Sequence, residues 1–475
     1  TPETQIIAAL PTPGVEEPDV SEDDPKENTA NANIPAAVAR PAPPPRFLVS
    51  GGDAGPRGFS SLDAAIEDAS TGEAIAVNVD GPLDIVLKQA IDLTGKALTL
   101  RAGKKSDGTR YAPQLKAFAT YNVPQELFHL TGAAELTLED LSLTFDLPTS
   151  QPSGWRMFSL GAGDRLTMRD CTLTLLGTEE RAETNAMLLL RGYRLPASSL
   201  EELADPDRKD RAADGEFFVT AERCLLRGQS DLARVEPERA GAVELIDSAV
   251  SMQASVLRMS GADAERPPPE SEADRVHFTL QRSTLLFGQS LIDVRWKAVL
   301  DERPPLPLTV FATDSLYVDA AGEAVLIRTR GGDDQQTFLE RLQWTGAGVN
   351  QYLLDRFWIA SGTTTTIENP GEKFEDWLSL AETSGSPVID MNAQYRSVEL
   401  PEDYRARFPN QISRQDVQPR PLQPAAAETA ANRATEPPAT RSPAVPPAVF
   451  EAPAPGVDAS RLPPPDPPIR TASGV

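Results

Sequence analysis

The chain has 475 residues, of which 45 are basic and 70 acidic, and its formal net charge is −25. Proteins that bind nucleic acid or anionic lipid do so through clustered Lys and Arg, so this charge argues against both partners. No uninterrupted apolar run reaches the ~18 residues that a membrane-spanning helix requires. Because the chain begins with Thr1 rather than Met, we expect a fragment or a processed product.

Composition divides the chain into three parts. Residues 1–45 and 396–475 are rich in proline, alanine and acidic residues and poor in aromatic ones. Such segments cannot bury enough apolar surface to offset the entropy lost when the backbone is ordered. We therefore predict a disordered linker at 1–45, one folded domain at 46–395 and a disordered tail at 396–475.

The start of the folded domain has the pattern of a capping element. Residues 46–50 are predicted to form an edge strand, and a glycine-rich turn is predicted at 51–58. A short amphipathic helix is predicted at 59–69, with Ser60 as its N-cap. Residues 74–79 are predicted to form the first strand of a solenoid, whose apolar end the helix would cover. The apolar face of this helix is formed by Leu62, Ala65, Ile66 and Ala69.

A repeated phrase follows, in which two short strands flank a polar corner. The shortest distance between corners is 24 residues, which is about the length of one bare coil of a parallel β-helix. One coil cannot bury its inward side chains alone, so successive coils must stack. The repeat predicts an all-β, three-sided, right-handed parallel β-helix. Its six predicted corner residues are Asp140, Asp170, Arg223, Asp247, Arg282 and Thr313.

The corner position carries both signs of charge. Stacked Asp and Arg predict a ladder of compensating charges, whereas a calcium site of the kind that lyases use would need carboxylates without the Arg. Cys171 and Cys224 each follow a corner directly, on coils predicted to be adjacent. Their spacing allows a disulfide, but buried free thiols are the favoured interpretation, and the redox state stays open.

Residues 372–381 are predicted to form a closing helix at the C-terminal end of the domain. Phe374, Trp377 and Leu378 share its apolar face. We expect Trp344 and Trp358 to pack against this helix rather than to form a surface platform for carbohydrate.

Three stretches resemble a known family. Residues 59–77, Ala97-Leu-Thr-Leu-Arg-Ala-Gly103 and residues 342–352 resemble the pectin-lyase-like group of right-handed parallel β-helix proteins. Within that group, the chain is similar to the regions that follow serine/threonine kinase domains in planctomycete bacteria. The resemblance covers residues 46–390. It implies an extracytoplasmic β-helix, at the cell surface or in the periplasm, with an N-terminal kinase domain in the full-length protein. No His-Arg-Asp or Asp-Phe-Gly motif occurs here, so any kinase would lie outside this sequence.

Enzymes with this fold act on acidic polysaccharides, and the chain contains one weak match to them. Asp333 and Asp334 resemble the paired aspartates of polygalacturonases. The Asn-Thr-Asp, Gly-His-Gly and Arg-Ile-Lys motifs of those enzymes are missing, so a solvated turn is the favoured interpretation. His129 and His277 lie in apolar strand patterns and are predicted to be wall residues. No cofactor or metal site is predicted.

The leading functional hypothesis is a non-catalytic binding or scaffold module that presents a stiff wall to a polysaccharide or protein ligand. By resemblance it would be the sensory or adhesive region of a kinase-type receptor. The alternative is a polysaccharide lyase or glycoside hydrolase, with Asp333 and Asp334 as the carboxylates to test. A third possibility, a spacer that binds nothing, differs from the first only in lacking a ligand.

Overall fold

The computed structural model describes residues 45–87, 89–119, 125–147, 154–191, 216–237, 240–261, 275–296, 304–331, 341–347 and 350–361, together with Ile412 and Leu462. The chain divides into two units, Thr1–Pro44 and Pro45–Val475, and every described residue belongs to the second. The predicted closing helix lies outside the described residues, as do the predicted linker except for Pro45 and the predicted tail except for Ile412 and Leu462.

The fold is a three-sided parallel β-helix, as the repeat predicts. In the described part of the chain, one strand from each coil joins each of three long sheets, and every pairing between coils is parallel. In spatial order, the first sheet contains β2 (Arg57–Phe59), β1 (Phe47–Ser50), β3 (Ala74–Val77), β6 (Ala97–Ala102), β9 (Glu135–Glu139), β12 (Arg165–Arg169), β15 (Phe217–Glu222), β18 (Gly241–Ile246), β21 (Val276–Gln281), β24 (Leu308–Thr313) and β27 (Leu342–Ala347).

The other two sheets run alongside the first. The second contains β28 (Gln351–Leu353), β25 (Leu316–Asp319), β22 (Thr284–Phe287), β19 (Ala249–Met252), β16 (Leu225–Gly228), β13 (Thr172–Leu176), β10 (Ser142–Asp146), β7 (Pro113–Ala119) and β4 (Gly81–Leu87). The third contains β29 (Arg356–Ser361), β26 (Val325–Arg330), β23 (Ser290–Arg295), β20 (Ser255–Ser260), β17 (Asp231–Val235), β14 (Ala186–Leu190), β11 (Arg156–Leu160), β8 (Glu126–Leu130) and β5 (Ile91–Asp92).

The N-terminal end is closed by one helix, α1 (Leu62–Asp68), and by β1, which pairs antiparallel with β2 and β3. The predicted apolar face of α1 is buried in the core. The N-cap is Ser61 rather than Ser60, because the extended Ser61 places its Oγ to accept from the Ala64 N–H at 3.4 Å. Lys96 Nζ donates to the carbonyls of Ile66 and Ala69 at the other end of the helix, at 2.9 and 3.2 Å.

The interior is filled by side chains that stack from coil to coil. Phe128 lies on Phe158 with ring centroids 5.3 Å apart, and Tyr317 lies on Tyr352 at 4.7 Å. Trp155, Trp344 and Trp358 are at most 2% exposed. These tryptophans are core residues and therefore do not form a carbohydrate platform. Among the described residues, no helix is long and apolar enough to cross a membrane.

The corner residues share one backbone conformation. Asp140, Asp170, Arg223, Asp247, Arg282 and Asp314 all have φ between 46° and 55°. This left-handed region disfavours most side chains, although Asp tolerates it better than most. The sixth corner is Asp314 and not Thr313, because the register pairs Leu280 with Ala312 and shifts that copy of the phrase by one residue.

The predicted charge ladder is confirmed at two pairs of coils. Arg223 donates from Nε and Nη2 to the two carboxylate oxygens of Asp170, both at 2.8 Å. Arg282 binds Asp247 in the same bidentate way, at 2.7 and 2.9 Å. Each arginine thus obtains a fixed partner on the preceding coil, which helps to hold it in an unfavourable backbone conformation.

The position after the corner forms a second ladder. Cys171 and Cys224 are free thiols and fully buried, as predicted, and burial raises the pKa of the Cys171 thiol. Each thiol donates to the carbonyl two residues earlier, at 3.2 and 3.3 Å. Ser248, Ser283 and Ser315 occupy the same position on later coils and donate to the equivalent carbonyl at 2.8–3.0 Å.

We expect Ser283→Ala to lower the free energy of unfolding by about 1–3 kcal/mol, because buried hydrogen-bonding groups lose their partner. The Ser283 hydroxyl accepts from the Ser248 N–H and donates to the carbonyls of Leu245 and Gln281. Ser283→Cys should lower the free energy of unfolding by less, since the thiols of Cys171 and Cys224 already donate the equivalent hydrogen bond on their coils. Urea unfolding measures both variants, and a larger loss for the Cys variant would contradict this account of the ladder.

Candidate functional site: an arginine cluster on the third sheet

Five arginines lie close together on the outer surface of the third sheet. The strand register places Arg234 beside Arg258, Arg258 beside Asp293, and Asp293 beside Arg328. Their strand neighbours, such as Leu257 and Met259, are in the core, so these polar side chains point outward. Arg295 and Arg330 form a parallel column two residues further along their strands. We call Arg234, Arg258, Arg295, Arg328 and Arg330 the arginine cluster.

Arg258 is the buried centre of the cluster. Its side chain is 6% exposed and lies between two carboxylates with no exposure, Asp231 and Asp293. Its Nη1 is 3.0 Å from Asp231 Oδ2, and its Nε is 3.2 Å from Asp293 Oδ2. Arg234 also pairs with Asp231 at 2.7 Å, and Arg295 with Asp293 at 2.6 Å. The two buried carboxylates are therefore compensated from several sides, as buried charges require.

Burial shifts the ionisation of this centre. Desolvation raises the pKa of Asp231, against the opposing charges of Arg258 and Arg234. Desolvation also lowers the pKa of Arg258 to about 10, against the opposing charge of Asp231. Arg258 still carries its positive charge at neutral pH. Removing water from the cluster thus strengthens its interactions with any anion that it holds.

A loop from an earlier coil brings a third carboxylate to the cluster. The loop at 177–185 joins β13 to β14 and contains one 3-10 turn, Glu179–Arg181. The main-chain carbonyl of Glu183 accepts from Arg258 Nη1 at 2.5 Å and also from Arg234. Arg234 Nη1 donates in addition to the Thr184 carbonyl at 2.8 Å. These bonds fix the loop along the outer face of the sheet.

The side chain of Glu183 reaches strands β23 and β26, three and four coils beyond its own. Gln289 Nε2 donates to Glu183 Oε1 at 2.7 Å, and Arg295 Nη2 donates to Oε2 at 3.3 Å. Arg330 Nη1 lies 3.9 Å from the same Oε2. Burial alone would raise the pKa of Glu183, but the Gln289 hydrogen bond and the charges of Arg330 and Arg295 outweigh it and lower this pKa. Glu183 is therefore a carboxylate at neutral pH, and its side chain is still 43% exposed.

Among the described residues, the cluster has more positive than negative charge. Its five guanidinium groups face three described carboxylates, those of Asp231, Asp293 and Glu183. Within the described part of the chain, Arg258 Nη2 and Arg330 Nη2 are buried without a hydrogen-bond partner. Arg328 makes no hydrogen bond or ion pair with a described residue. Desolvation lowers the pKa of Arg328, and the neighbouring positive charge of Arg330 lowers it further. The site thus holds the carboxylate of Glu183 and has two buried guanidinium nitrogens that no described residue satisfies.

The residues that the sequence analysis singled out do not meet here. Asp333 and Asp334 lie outside the described residues. His129 is on the third sheet, where its Nδ1 is 3.1 Å from Glu126 Oε2, and His277 is exposed on the first sheet. Both histidines are strand residues of the wall, as predicted. In the described ranges, no group of three or more His, Cys, Asp or Glu side chains could hold a metal ion.

Comparison of the chain with protein-family models, with curated proteins and with solved structures finds no match. The parallel β-helix is therefore established by the strand pairing alone, and the family resemblance stays a prediction.

Proposed function

We propose that this chain is a non-catalytic binding module whose arginine cluster holds the carboxylate groups of an acidic polysaccharide. The observation that carries this proposal is the binding of Glu183, an ionised and partly exposed carboxylate, by Gln289, Arg295 and Arg330. An arginine fork matches the geometry of a carboxylate and is the group most often used to recognise one.

The repeat of the wall favours a polymeric ligand. Successive coils are about 4.8 Å apart. Along the stack, Arg234 lies beside Arg258 and Arg295 beside Arg330, so guanidinium groups occur on several neighbouring coils, with Asp293 between Arg258 and Arg328. A linear chain with one carboxylate on each unit could engage several coils at once, which multiplies weak contacts. The chain as a whole carries a charge of −25, so general electrostatic attraction cannot supply this binding, and the cluster must.

The biological setting rests on the resemblance alone. We propose that the module is the ligand-binding, extracytoplasmic region of a bacterial serine/threonine kinase-type receptor, with the kinase N-terminal to this sequence. A polysaccharide lyase or glycoside hydrolase of pectin-lyase-like fold remains the alternative, with Asp333 and Asp334 as its carboxylates.

Calorimetric titration of the full chain with oligogalacturonate tests the proposal. The matched control is the methyl-esterified oligomer, which has the same backbone without the charges, and EDTA removes calcium from both. We expect binding of the acidic form only, weakened by salt, and no change in oligomer length after long incubation. Equal binding of both forms, or of neither, would contradict the proposal. Release of shorter products would favour the enzyme, and Asp333→Asn and Asp334→Asn would then be examined.

A further inference from the structure

Part of the outer face of the second sheet is buried, across strands β16, β19, β22 and β25, although it faces away from the core. Val250 and Leu285 point into the interior, so their strand neighbours Ala249 and Leu286 point outward. Ala249 and Leu286 are nevertheless at most 1% exposed. By contrast, Phe311 on the outer face of the first sheet is 41% exposed. We call the following buried outward residues of β16, β19, β22 and β25 the outer strip: Leu225, Arg227, Ala249, Ser251, Leu286, Leu316 and Val318.

Two residues from the C-terminal part of the chain lie on the outer strip. Ile412 is 2% exposed and Leu462 is 3% exposed, and both pack in one apolar cluster with Leu225, Leu286 and Val318. This cluster is separate from the main core. Ile412 and Leu462 are 50 positions apart in the sequence, so the chain meets the same face at two independent points.

A buried arginine makes the contact directional. Arg227 is 6% exposed, and its Nη1 donates to the main-chain carbonyl of Ile412 at 2.9 Å. Its Nε donates to Thr174 Oγ1 at 2.9 Å, which fixes the guanidinium on the sheet. A hydrogen bond from a charged donor to a backbone carbonyl selects the position of the segment, whereas apolar packing alone would allow it to slide.

We propose that the outer strip is a docking surface for the C-terminal segment of this same chain, anchored by Ile412 and Leu462. An exposed apolar strip that crosses four coils would be a site of association with other molecules. In this proposal the C-terminal segment covers the strip and is held there by the apolar packing of Ile412 and Leu462 and by the Arg227 hydrogen bond. The segment predicted to be a free tail is therefore an intramolecular ligand of the solenoid.

Thiol labelling of the full chain tests this docking. Native Cys171 and Cys224 are 0% exposed and give a low background. Ser251→Cys places a thiol on the outer strip, and Phe311→Cys places a control thiol on the first sheet. With the native C-terminal segment, Ser251→Cys should react with a maleimide at least about tenfold more slowly than Phe311→Cys, since it must wait for local opening.

The anchors are then removed by Ile412→Asp with Leu462→Asp, which lie outside the solenoid strands. The double substitution should speed the labelling of Ser251→Cys about tenfold and leave Phe311→Cys unchanged. Fast labelling with the native segment, or a rate that the double substitution does not alter, would overturn the proposal. A dimer by light scattering, with protection that disappears on dilution, would assign the strip to a second copy and would also overturn it.

Discussion

Replacing Arg258 with methionine should lower the free energy of unfolding by about 3–5 kcal/mol, because it leaves two buried carboxylates without their shared partner. Arg258 lies 3.0 Å from Asp231 and 3.2 Å from Asp293, and both aspartates are fully buried. Arg234 and Arg295 each still pair with one of them, but from the edge of the cluster. Urea unfolding followed by circular dichroism measures the loss.

Arg328→Met provides the matched control for this experiment. Arg328 occupies the same outward column two coils away and pairs with no described carboxylate. Its removal should change the free energy of unfolding by no more than about 0.5 kcal/mol. If both variants lose the same free energy of unfolding, the buried pairs of Arg258 with Asp231 and Asp293 do not account for the loss.

The loss in the free energy of unfolding caused by Arg258→Met should also depend on pH. Desolvation raises the folded-state pKa of Asp231 even with Arg258 present, and its removal should raise this pKa further. A carboxyl group with a raised folded pKa favours the folded state at low pH, where it is protonated, and opposes it as pH rises through that pKa. The difference in the free energy of unfolding between the wild type and Arg258→Met should therefore be smaller in acid and larger at neutral pH.

Charge reversal at Arg328 is the second large effect that we expect. Arg328→Glu should weaken binding of oligogalacturonate about 10- to 100-fold, since a cation that pairs with no described carboxylate, in a partly desolvated site, becomes a repelling anion. The substitution breaks no ion pair among the described residues, so the fold should persist. Fluorescence anisotropy of a labelled oligomer, with circular dichroism of each variant, gives both readings.

Arg169→Glu is the control for charge itself. The side chain of Arg169 is 46% exposed and belongs to the first sheet, whereas the cluster lies on the third. The variant changes net charge by the same amount as Arg328→Glu and should keep the affinity of the wild type. If both reversals weaken binding equally, the ligand responds to total charge and not to the arginine cluster.

Much of the architecture could be predicted because the repeat is local and strongly patterned. The inward residues and the polar corners recur at coil spacing, and this fixes which strands stack. The predictions are wrong where the pattern is weak. The repeat predicts Thr313 at a corner that Asp314 occupies, and the helix pattern predicts Ser60 at a cap that Ser61 makes. The strand Arg57–Phe59 falls across the predicted turn at 51–58 and the first residue of the predicted helix at 59–69, because a strand of three residues with a glycine shows no clear alternation of polar and apolar side chains.

The sequence pattern also fails to predict two strands of the first coils, for a related reason. Gly81–Leu87 and Pro113–Ala119 each contain a proline at or near the start, and proline usually argues against a strand interior. In the structure, both prolines lie in the first two residues of their strands, where a missing N–H is tolerated.

The sequence contains a signal for the arginine cluster in the spacing of its residues. Arg234 and Arg258 are 24 residues apart, and Arg258 and Asp293 are 35 apart, the same intervals that separate the corners Arg223, Asp247 and Arg282. That coincidence places them in one outward column. The arrival of Glu183 could not be predicted, because it depends on a loop that crosses several coils. The predicted candidates Asp333 and Asp334 lie outside the described residues and still await a test.

The most direct test of the central claim is the affinity of Glu183→Gln for oligogalacturonate. If Glu183 occupies a site that suits carboxylates, removing its charge leaves Arg295 and Arg330 with Asp293 as their one remaining carboxylate partner among the described residues. The ligand should then bind about three- to tenfold more tightly. The methyl-esterified oligomer should still not bind. Unchanged or weaker binding by Glu183→Gln would contradict the claim that the arginine cluster binds carboxylates and that the side chain of Glu183 fills part of this site.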